Sequence, residues 1–342
     1  MTSARIGKKT APGFALDVEF ALPQGVTALF GPAGAGKTLI LEALAGFATP
    51  DSGRILLDDV LLFDAAARVS VPPHQRGCGY VAQRDALFPH MTLRQNLAFA
   101  AHRSPRVERT RRVAEMVERF QLGAAAVRRP RDVTPPERLR GAVARALLAS
   151  PKLLLLDERG FDETLLRTVR EAFAGPILLV TDDLDLCSAA AGRLILLDAG
   201  RMVQSGAPES VLDRPESVAA ARLLGIPNIF ECTVAALDPG RRSSRLEFSG
   251  FAINGPYLPG HFRGDRVSVT ARPEDLRVHA GESERVENAV AAELVRVSRR
   301  VRMVRMEFAG GIFVDVPHEE YEGKKDSRSW LVEFSAEKVR VF

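Results

Sequence analysis

Residues 31–38 read Gly-Pro-Ala-Gly-Ala-Gly-Lys-Thr, a complete G-x-x-x-x-G-K-[ST] phosphate loop. It follows the apolar run Val26-Thr27-Ala28-Leu29-Phe30 and opens into Leu39-Ile40-Leu41-Glu42-Ala43-Leu44-Ala45, a pattern that predicts a helix. Strand, glycine loop and helix in this order are the context the motif requires. The glycines let successive backbone N–H groups wrap a phosphate, Lys37 reaches the β and γ oxygens, and the Thr38 hydroxyl can sit on Mg²⁺. The N-terminus of the helix adds partial positive charge behind the same anion. The nucleotide-binding candidates are therefore Gly31, Pro32, Ala33, Gly34, Ala35, Gly36, Lys37, Thr38 and Leu39. A glycine-rich turn that binds nothing is the bland alternative, and spacing, lysine and flanking elements all weigh against it. A nucleoside triphosphate with Mg²⁺ is the expected ligand.

Composition bounds the rest. At 342 residues two domains are expected, and 46% hydrophobic residues suffice for a core in each. A net charge of +4 is too mild to demand nucleic acid, and no nucleic-acid partner is expected. Cys78, Cys187 and Cys232 are far apart and form no C-x-x-C pair, which favours a reducing compartment and no structural metal. The N-terminus lacks an apolar signal core, and no apolar run approaches the ~20 residues needed to cross a bilayer. Work at a membrane would have to go through a partner.

Further strands follow. Lys152-Leu153-Leu154-Leu155-Leu156 ends in Asp157-Glu158, an aliphatic run closed by carboxylates. In a Walker B reading Asp157 holds Mg²⁺ through water and Glu158 orients or deprotonates the attacking water; the plain alternative is a turn after a buried strand. Residues 176–180 and 193–198 read as two more strands, the first running into Thr181-Asp182-Asp183. After about Pro227 the helical periodicity fades. Short β-like runs at 245–248, 266–270, 294–308, 312–316 and 330–334 suggest a small barrel or sandwich. The expected division is an α/β domain over residues 1–228 and a small all-β domain over 229–342.

Between phosphate loop and Asp157 lies Gly79-Tyr80-Val81-Ala82-Gln83-Arg84-Asp85-Ala86-Leu87-Phe88-Pro89-His90-Met91-Thr92-Leu93-Arg94-Gln95-Asn96-Leu97. With these three pieces the chain resembles the ATP-binding subunits of ABC importers. The resemblance implies a P-loop NTPase domain of the ABC type. It also implies that Gln83 contacts Mg²⁺ and the attacking water, and that the residues after Gln83 face a membrane permease subunit. Residues 16–31, Leu62-Phe63-Asp64 and Val71-Pro72-Pro73-His74-Gln75-Arg76 look most like the molybdate-importer branch. Val269-Thr270-Ala271-Arg272-Pro273-Glu274-Asp275-Leu276-Arg277-Val278 is similar to the TOBE-type, OB-like barrel of the molybdate, sulfate, iron and polyamine importers.

The departures are as informative. Where the family carries Leu-Ser-Gly-Gly-Gln, this chain has Val133-Thr134-Pro135-Pro136-Glu137. Thr134 suits an N-cap, proline the first turn, and Glu137 completes a capping box, so the helix should survive. Proline has no backbone N–H, so two donors for the γ-phosphate of an opposite subunit are lost. Where the family reads Thr-His-Asp, Asp182 replaces the histidine and would repel the γ-phosphate; at ~4 Å and an effective dielectric of about 20, one like-charge pair costs about 4 kcal/mol. The loop Arg159-Gly160-Phe161-Asp162 is shorter than the family's, leaving Asp162 as the match to its D-loop aspartate. The catalytic candidates are thus Glu158, Gln83 and Asp182, and the metal candidates Thr38, Gln83 and Asp157. Elements that hold Mg-ATP within one subunit remain; those that clamp it across a dimer are altered. ATP binding with slow or conditional hydrolysis is the expectation.

Weaker signals remain open. Residues 295–303 place basic side chains largely on one strand face, either a solvated face or an oxyanion site in the C-terminal domain. The Arg-rich helix over 103–120 is either a plain amphipathic surface helix or a contact to the membrane subunit. Phe14 either stacks on adenine or belongs to the core. Two readings compete: the peripheral ATP-binding subunit of an oxyanion importer, or a nucleotide-regulated subunit with impaired turnover. The first implies a second ATP-binding subunit in a homodimer, a membrane permease, and a place on the cytoplasmic face of the inner membrane.

Overall fold

The computed structural model describes residues 2–10, 13–83, 87–157, 160–281 and 286–342, in two compact units, Met1–Arg214 and Pro215–Phe342. The first unit opens with β1 (Thr2–Thr10), β2 (Phe14–Leu22), β3 (Gly25–Phe30), α1 (Lys37–Ala45), β4 (Ser52–Leu57), β5 (Val60–Asp64), β6 (Val69–Ser70) and β7 (Cys78–Val81). Three helices follow, α2 (Leu93–Ala100), α3 (Arg106–Arg119) and α4 (Pro135–Leu148). It ends with β8 (Leu153–Leu156), α5 (Glu163–Ala172), β9 (Pro176–Val180), α6 (Leu184–Ala190), β10 (Arg193–Asp198), β11 (Arg201–Gly206) and α7 (Pro208–Asp213).

These strands form one sheet in the order β6-β5-β4-β1-β2-β11-β10-β3-β9-β8-β7. Its two halves obey different rules. Strands β10, β3, β9, β8 and β7 run parallel. Covered on both faces, they read as unbroken apolar runs: all four leucines of β8 are at most 1% exposed. The other half is mostly antiparallel, with β1 paired to β2 along nine residues and to β4 on its other side, while β11 joins β2 in parallel. There the alternation of a half-solvated sheet appears: Ala4 and Ile6 are buried and Arg5 between them is exposed.

Register decides where chemistry can happen. Leu29 of β3 pairs with Val180, Leu179 with Leu156, and Leu156 with Val81. The loops leaving β3, β9, β8 and β7 therefore emerge side by side at the carboxyl edge of the parallel strands, where open α/β sheets bind ligands. α1 rises from that edge and packs over β7, β9 and β1.

The second unit is built from α8 (Val218–Leu223), β12 (Asn228–Asp238), β13 (Ser243–Phe248), β14 (Phe251–Pro256), β15 (Arg266–Ala271), β16 (Leu276–Ala280) and β17 (Ala289–Ala291). It continues with β18 (Leu294–Arg299), β19 (Met303–Phe308), β20 (Ile312–Pro317), α9 (His318–Lys324), β21 (Trp330–Phe334) and β22 (Arg340–Val341). The sheets are β14-β13-β12-β15-β22, β16-β21-β17 and β18-β19-β20. They enclose one apolar core, in which Phe230 stacks on Phe248 at 4.3 Å and Phe334 meets both edge-on. An α/β unit followed by an all-β unit is the arrangement the strand pattern predicts.

Candidate functional site

The loop between β3 and α1 is shaped by two glycines that nothing larger could replace. A Cβ on Gly31 would stand 2.1 Å from the Leu197 carbonyl oxygen, so the loop starts hard against β10. Gly36, the N-cap of α1, adopts φ 103°, a left-handed conformation that favours glycine. No side chain caps α1 at this end. Pro32, Ala33 and Gly34 are exposed, and Ala35 is buried with its carbonyl bonded to the Gly200 N–H at 3.1 Å. Lys37 folds back over the loop, its Nζ donating to the carbonyls of Gly31 at 2.7 Å and Pro32 at 2.8 Å. The ammonium thus stands across the concavity that a phosphate would fill. Thr38 is exposed beside it, and Leu39 is half-buried against the core. Phe14, at the start of β2, sets its ring against Gly36; a Cβ there would lie 2.9 Å from the ring carbon Cζ. Its ring also packs on the core cluster beneath the loop.

The second arm comes from β7 and β8. Asp157 is 1% exposed, with its N–H bonded to the Val81 carbonyl at 2.8 Å. Gln83 donates from Nε2 to Asp157 Oδ1 at 3.4 Å, so the two predicted metal candidates on this arm meet. Tyr80 faces the same carboxylate. Burial, then the charges of Asp157 and Glu42, push its phenol well above the usual tyrosine range. Sequence reasoning missed Tyr80 as a site-lining residue; its place next to Val81 on a strand that ends at Gln83 is the signal that could have found it. Glu158 lies outside the described residues, as do residues 84–86.

The start of α4 has the capping box that its sequence predicts. Glu137 N donates to Thr134 Oγ1 at 3.4 Å, and Glu137 Oε2 accepts from Thr134 N at 2.8 Å. The Thr134 hydroxyl also donates to Glu137 Oε2 at 2.9 Å, and Arg138 N bonds to Thr134 O at 2.9 Å. Pro135 and Pro136 occupy the first two helical positions. The Thr134 N–H and hydroxyl hold the Glu137 carboxyl below its usual range. Every backbone donor that this helix end would otherwise offer is thus absent or used, and a carboxylate sits on it.

After β9, Thr181 Oγ1 accepts from Asp183 N at 3.0 Å, and Asp183 caps α6 by accepting from Leu186 N at 3.0 Å. Asp182 is exposed at the same sheet edge as the phosphate loop. Asp162 caps α5, accepting from Leu165 N at 2.7 Å, and the neighbouring Phe161 is buried in the core. Both aspartates thus have structural work as helix caps.

Beyond Gln83, Asn96 is fully buried and ties the segment around Phe88 to α2. It accepts from Phe88 N at 2.7 Å and donates to the carbonyls of Phe88, Met91 and Thr92. Arg145 of α4 lies 4.3 Å over the Phe88 ring, and Phe99 meets that ring edge-on at 4.9 Å while 49% exposed. Residues 106–119 form the expected amphipathic helix, burying Val113 and Val117. In the second unit, Arg299 pairs with Glu322, and Arg305 makes a bidentate pair with Asp315 at 2.7 and 2.6 Å. Arg296, Arg300 and Arg302 are exposed.

The ABC transporter family matches residues 16–159. A "Molybdenum import ATP-binding protein ModC" from Rhodospirillum rubrum is 41% identical over 59% of this chain and 57% of its own length. A protein of the same name from Paramagnetospirillum magneticum is 32% identical over 83% of this chain and 81% of its own length. A "Spermidine/putrescine import ATP-binding protein PotA" from Vibrio cholerae is 33% identical over 73% of this chain and 67% of its own length. Among solved structures, one described as the ATP binding subunit of an ABC transporter superposes with a TM-score of 0.54 at 21% identity, covering 65% of this chain and 99% of that one. A dimeric ATP-binding cassette bound to ADP and Pi gives 0.52 at 20%, covering 61% and 99%. These two show the fold. Together with the phosphate loop and the Gln83–Asp157 arm, the relatives place the protein: the chain belongs to the family of ABC importer ATP-binding subunits.

Proposed function

We propose that this chain binds Mg-ATP and couples it to uptake of molybdate or a related oxyanion through a membrane permease. The observation that carries the nucleotide reading is the convergence of the two arms at one sheet edge. Lys37 and the amides of residues 31–39 would hold the phosphates, and Thr38, Gln83 and Asp157 would hold Mg²⁺. When bound, the metal would neutralise charge on the β and γ oxygens. Phe14, braced on Gly36, stands where it could flank the nucleoside. Glu158 is the proposed residue for activating water, by sequence alone. The oxyanion assignment is supported by the molybdenum-import relatives at 32–41% identity.

Turnover is proposed to be slow. The self-capped end of α4 and the carboxylate of Asp182 support this, because both withhold or oppose contacts that a γ-phosphate needs. Two copies would assemble on the permease at the cytoplasmic face of the membrane, with the Phe88–Phe99 surface towards it. Among the described residues no helix is long and apolar enough to cross a membrane. Binding of ATP to the full chain with and without Mg²⁺, beside Lys37→Ala and Asp157→Asn, tests the nucleotide reading. Loss of binding in the first and of the Mg²⁺ contribution in the second are expected. Molybdate uptake by cells lacking their own ATP-binding subunit, supplied with this chain and its permease, tests the solute; no uptake there would remove the molybdate assignment.

A further inference from the structure

Arg76 is 3% exposed, and among the described residues no carboxylate pairs with it. Its guanidinium is spent on main-chain carbonyls instead. Nη1 donates to Ala43 O at 2.7 Å and Leu44 O at 3.0 Å, the last turn of α1, and Nε donates to Val71 O at 2.7 Å. Gly46 closes α1 in a left-handed conformation, φ 89°, and leaves room for that guanidinium: a Cβ on Gly46 would lie 2.6 Å from Nε. A buried cation at a helix C-terminus complements the partial negative charge of the unpaired carbonyls. A cap of this kind needs no arginine two residues ahead of a strand that leads to the site, so the position of Arg76 in the chain is the informative part.

Arg76 stands two residues before β7, and β7 leads to Gln83 within a few residues. At the other end of α1 stand Lys37 and Thr38. The guanidinium therefore joins the far end of the phosphate-binding helix to the near end of the strand that delivers Gln83. Two smaller contacts run in parallel: the Cys78 thiol reaches Leu44 O at 3.8 Å, and the Phe47 ring, just past α1, lies 5.8 Å from that of Tyr80, which faces Asp157. A short helix that starts in the site and a short strand that leads to it are joined at their common base.

We infer that Arg76 is a positioning residue for Mg-nucleotide binding, setting the register of α1 against β7 and hence of Lys37 and Thr38 against Gln83 and Asp157. The inference rests on the Mg-ATP reading above. It requires that Arg76 act on the contribution of the metal, which needs both arms in register, more than on the phosphate contacts of the loop alone.

The test is ATP affinity of the full chain measured with Mg²⁺ and with EDTA, well below the melting temperature, for wild type, Arg76→Met, Arg76→Lys and Gly46→Ala. The Mg²⁺-dependent gain in affinity should fall about fivefold or more in Arg76→Met, the size of one linking hydrogen bond. Metal-free affinity should change less. Arg76→Lys, which keeps charge and a donor without the three-carbonyl fork, should recover part of the gain. Gly46→Ala, which displaces the guanidinium while Arg76 is present, should reproduce the loss. If Arg76→Met does not fold, Arg76→Lys and Gly46→Ala carry the same readout. An unchanged Mg²⁺ gain, or an equal loss with and without metal, in folded variants overturns the positioning role and leaves the nucleotide reading standing. Absence of ATP binding by the wild type overturns the nucleotide reading, and the inference with it.

Discussion

Two helices of the first unit begin where phosphate could be met, and they are built in opposite ways. α1 starts on a left-handed glycine with no side-chain cap and a lysine folded across its mouth. α4 starts on two prolines, with Thr134 and Glu137 satisfying one another. Both are well-formed helix starts. Stability alone would favour the second only slightly, since a threonine cap is worth no more than a few tenths of a kcal/mol over glycine. The first does without a side-chain cap at a small cost in stability, which is the usual signature of a functional position. On the proposed reading, the in-subunit half of the nucleotide machinery is therefore kept open, and the half that would reach across to another subunit is closed.

The largest expected effect lies at α1. Lys37→Ala should weaken ATP binding by about 10- to 100-fold, the equivalent of losing charge-assisted hydrogen bonds to phosphate, whereas Glu137→Ala should leave binding by the isolated chain unchanged. Isothermal titration of both variants checks this; comparable losses would erase the contrast. Next in size is the cap. Thr134→Ala should destabilise the first unit by about 1 kcal/mol, a shift of about 2–4 °C in its melting temperature, without moving ATP affinity. A drop in affinity would mean that α4 already contributes within one chain.

The smallest effect is a pH dependence. The Glu137 carboxyl is held below its ordinary value of 4.5 by the Thr134 N–H. A group with a depressed folded value contributes stability that is fully present above its unfolded value and is lost as pH falls through the folded one. The difference in melting temperature between wild type and Glu137→Ala should therefore be constant well above the ordinary value of 4.5 and shrink as the pH falls below it. A difference that grew on acidification would contradict the capping-box geometry.

Much of this was legible in the sequence, for a physical reason. Strands β8 and β9 are short, wholly apolar and buried, and β10 has a buried apolar centre between Arg193 and Asp198, so composition alone marks them; residues 176–180 and 193–198 are strands as expected. The phosphate loop and the α4 cap are local patterns, set within eight and four consecutive residues respectively. The antiparallel half was harder to see. β1 carries Arg5, Gly7, Lys8 and Lys9, and its strand state comes from pairing with β2 and β4. Long-range pairing of that kind leaves little local trace. The same holds in the site. Arg76 and Asn96 act through backbone carbonyls of segments distant in sequence or hidden in loops, and nothing in their immediate neighbours announces it. Asp162 and Asp183 show the reverse: a local rule, helix capping, accounts for them.

The proposal holds the nucleotide within one chain and closes the clamp across a dimer. Steady-state ATP hydrolysis by the full chain with Mg²⁺, measured beside Lys37→Ala and beside a triple variant Pro135→Gly, Pro136→Gly, Asp182→His, tests it most directly. The account predicts wild-type turnover close to that of Lys37→Ala despite intact ATP binding, and a rise of at least about tenfold in the triple variant as amide and imidazole donors return. Wild-type turnover far above Lys37→Ala, unchanged or lowered by the triple substitution, would contradict it.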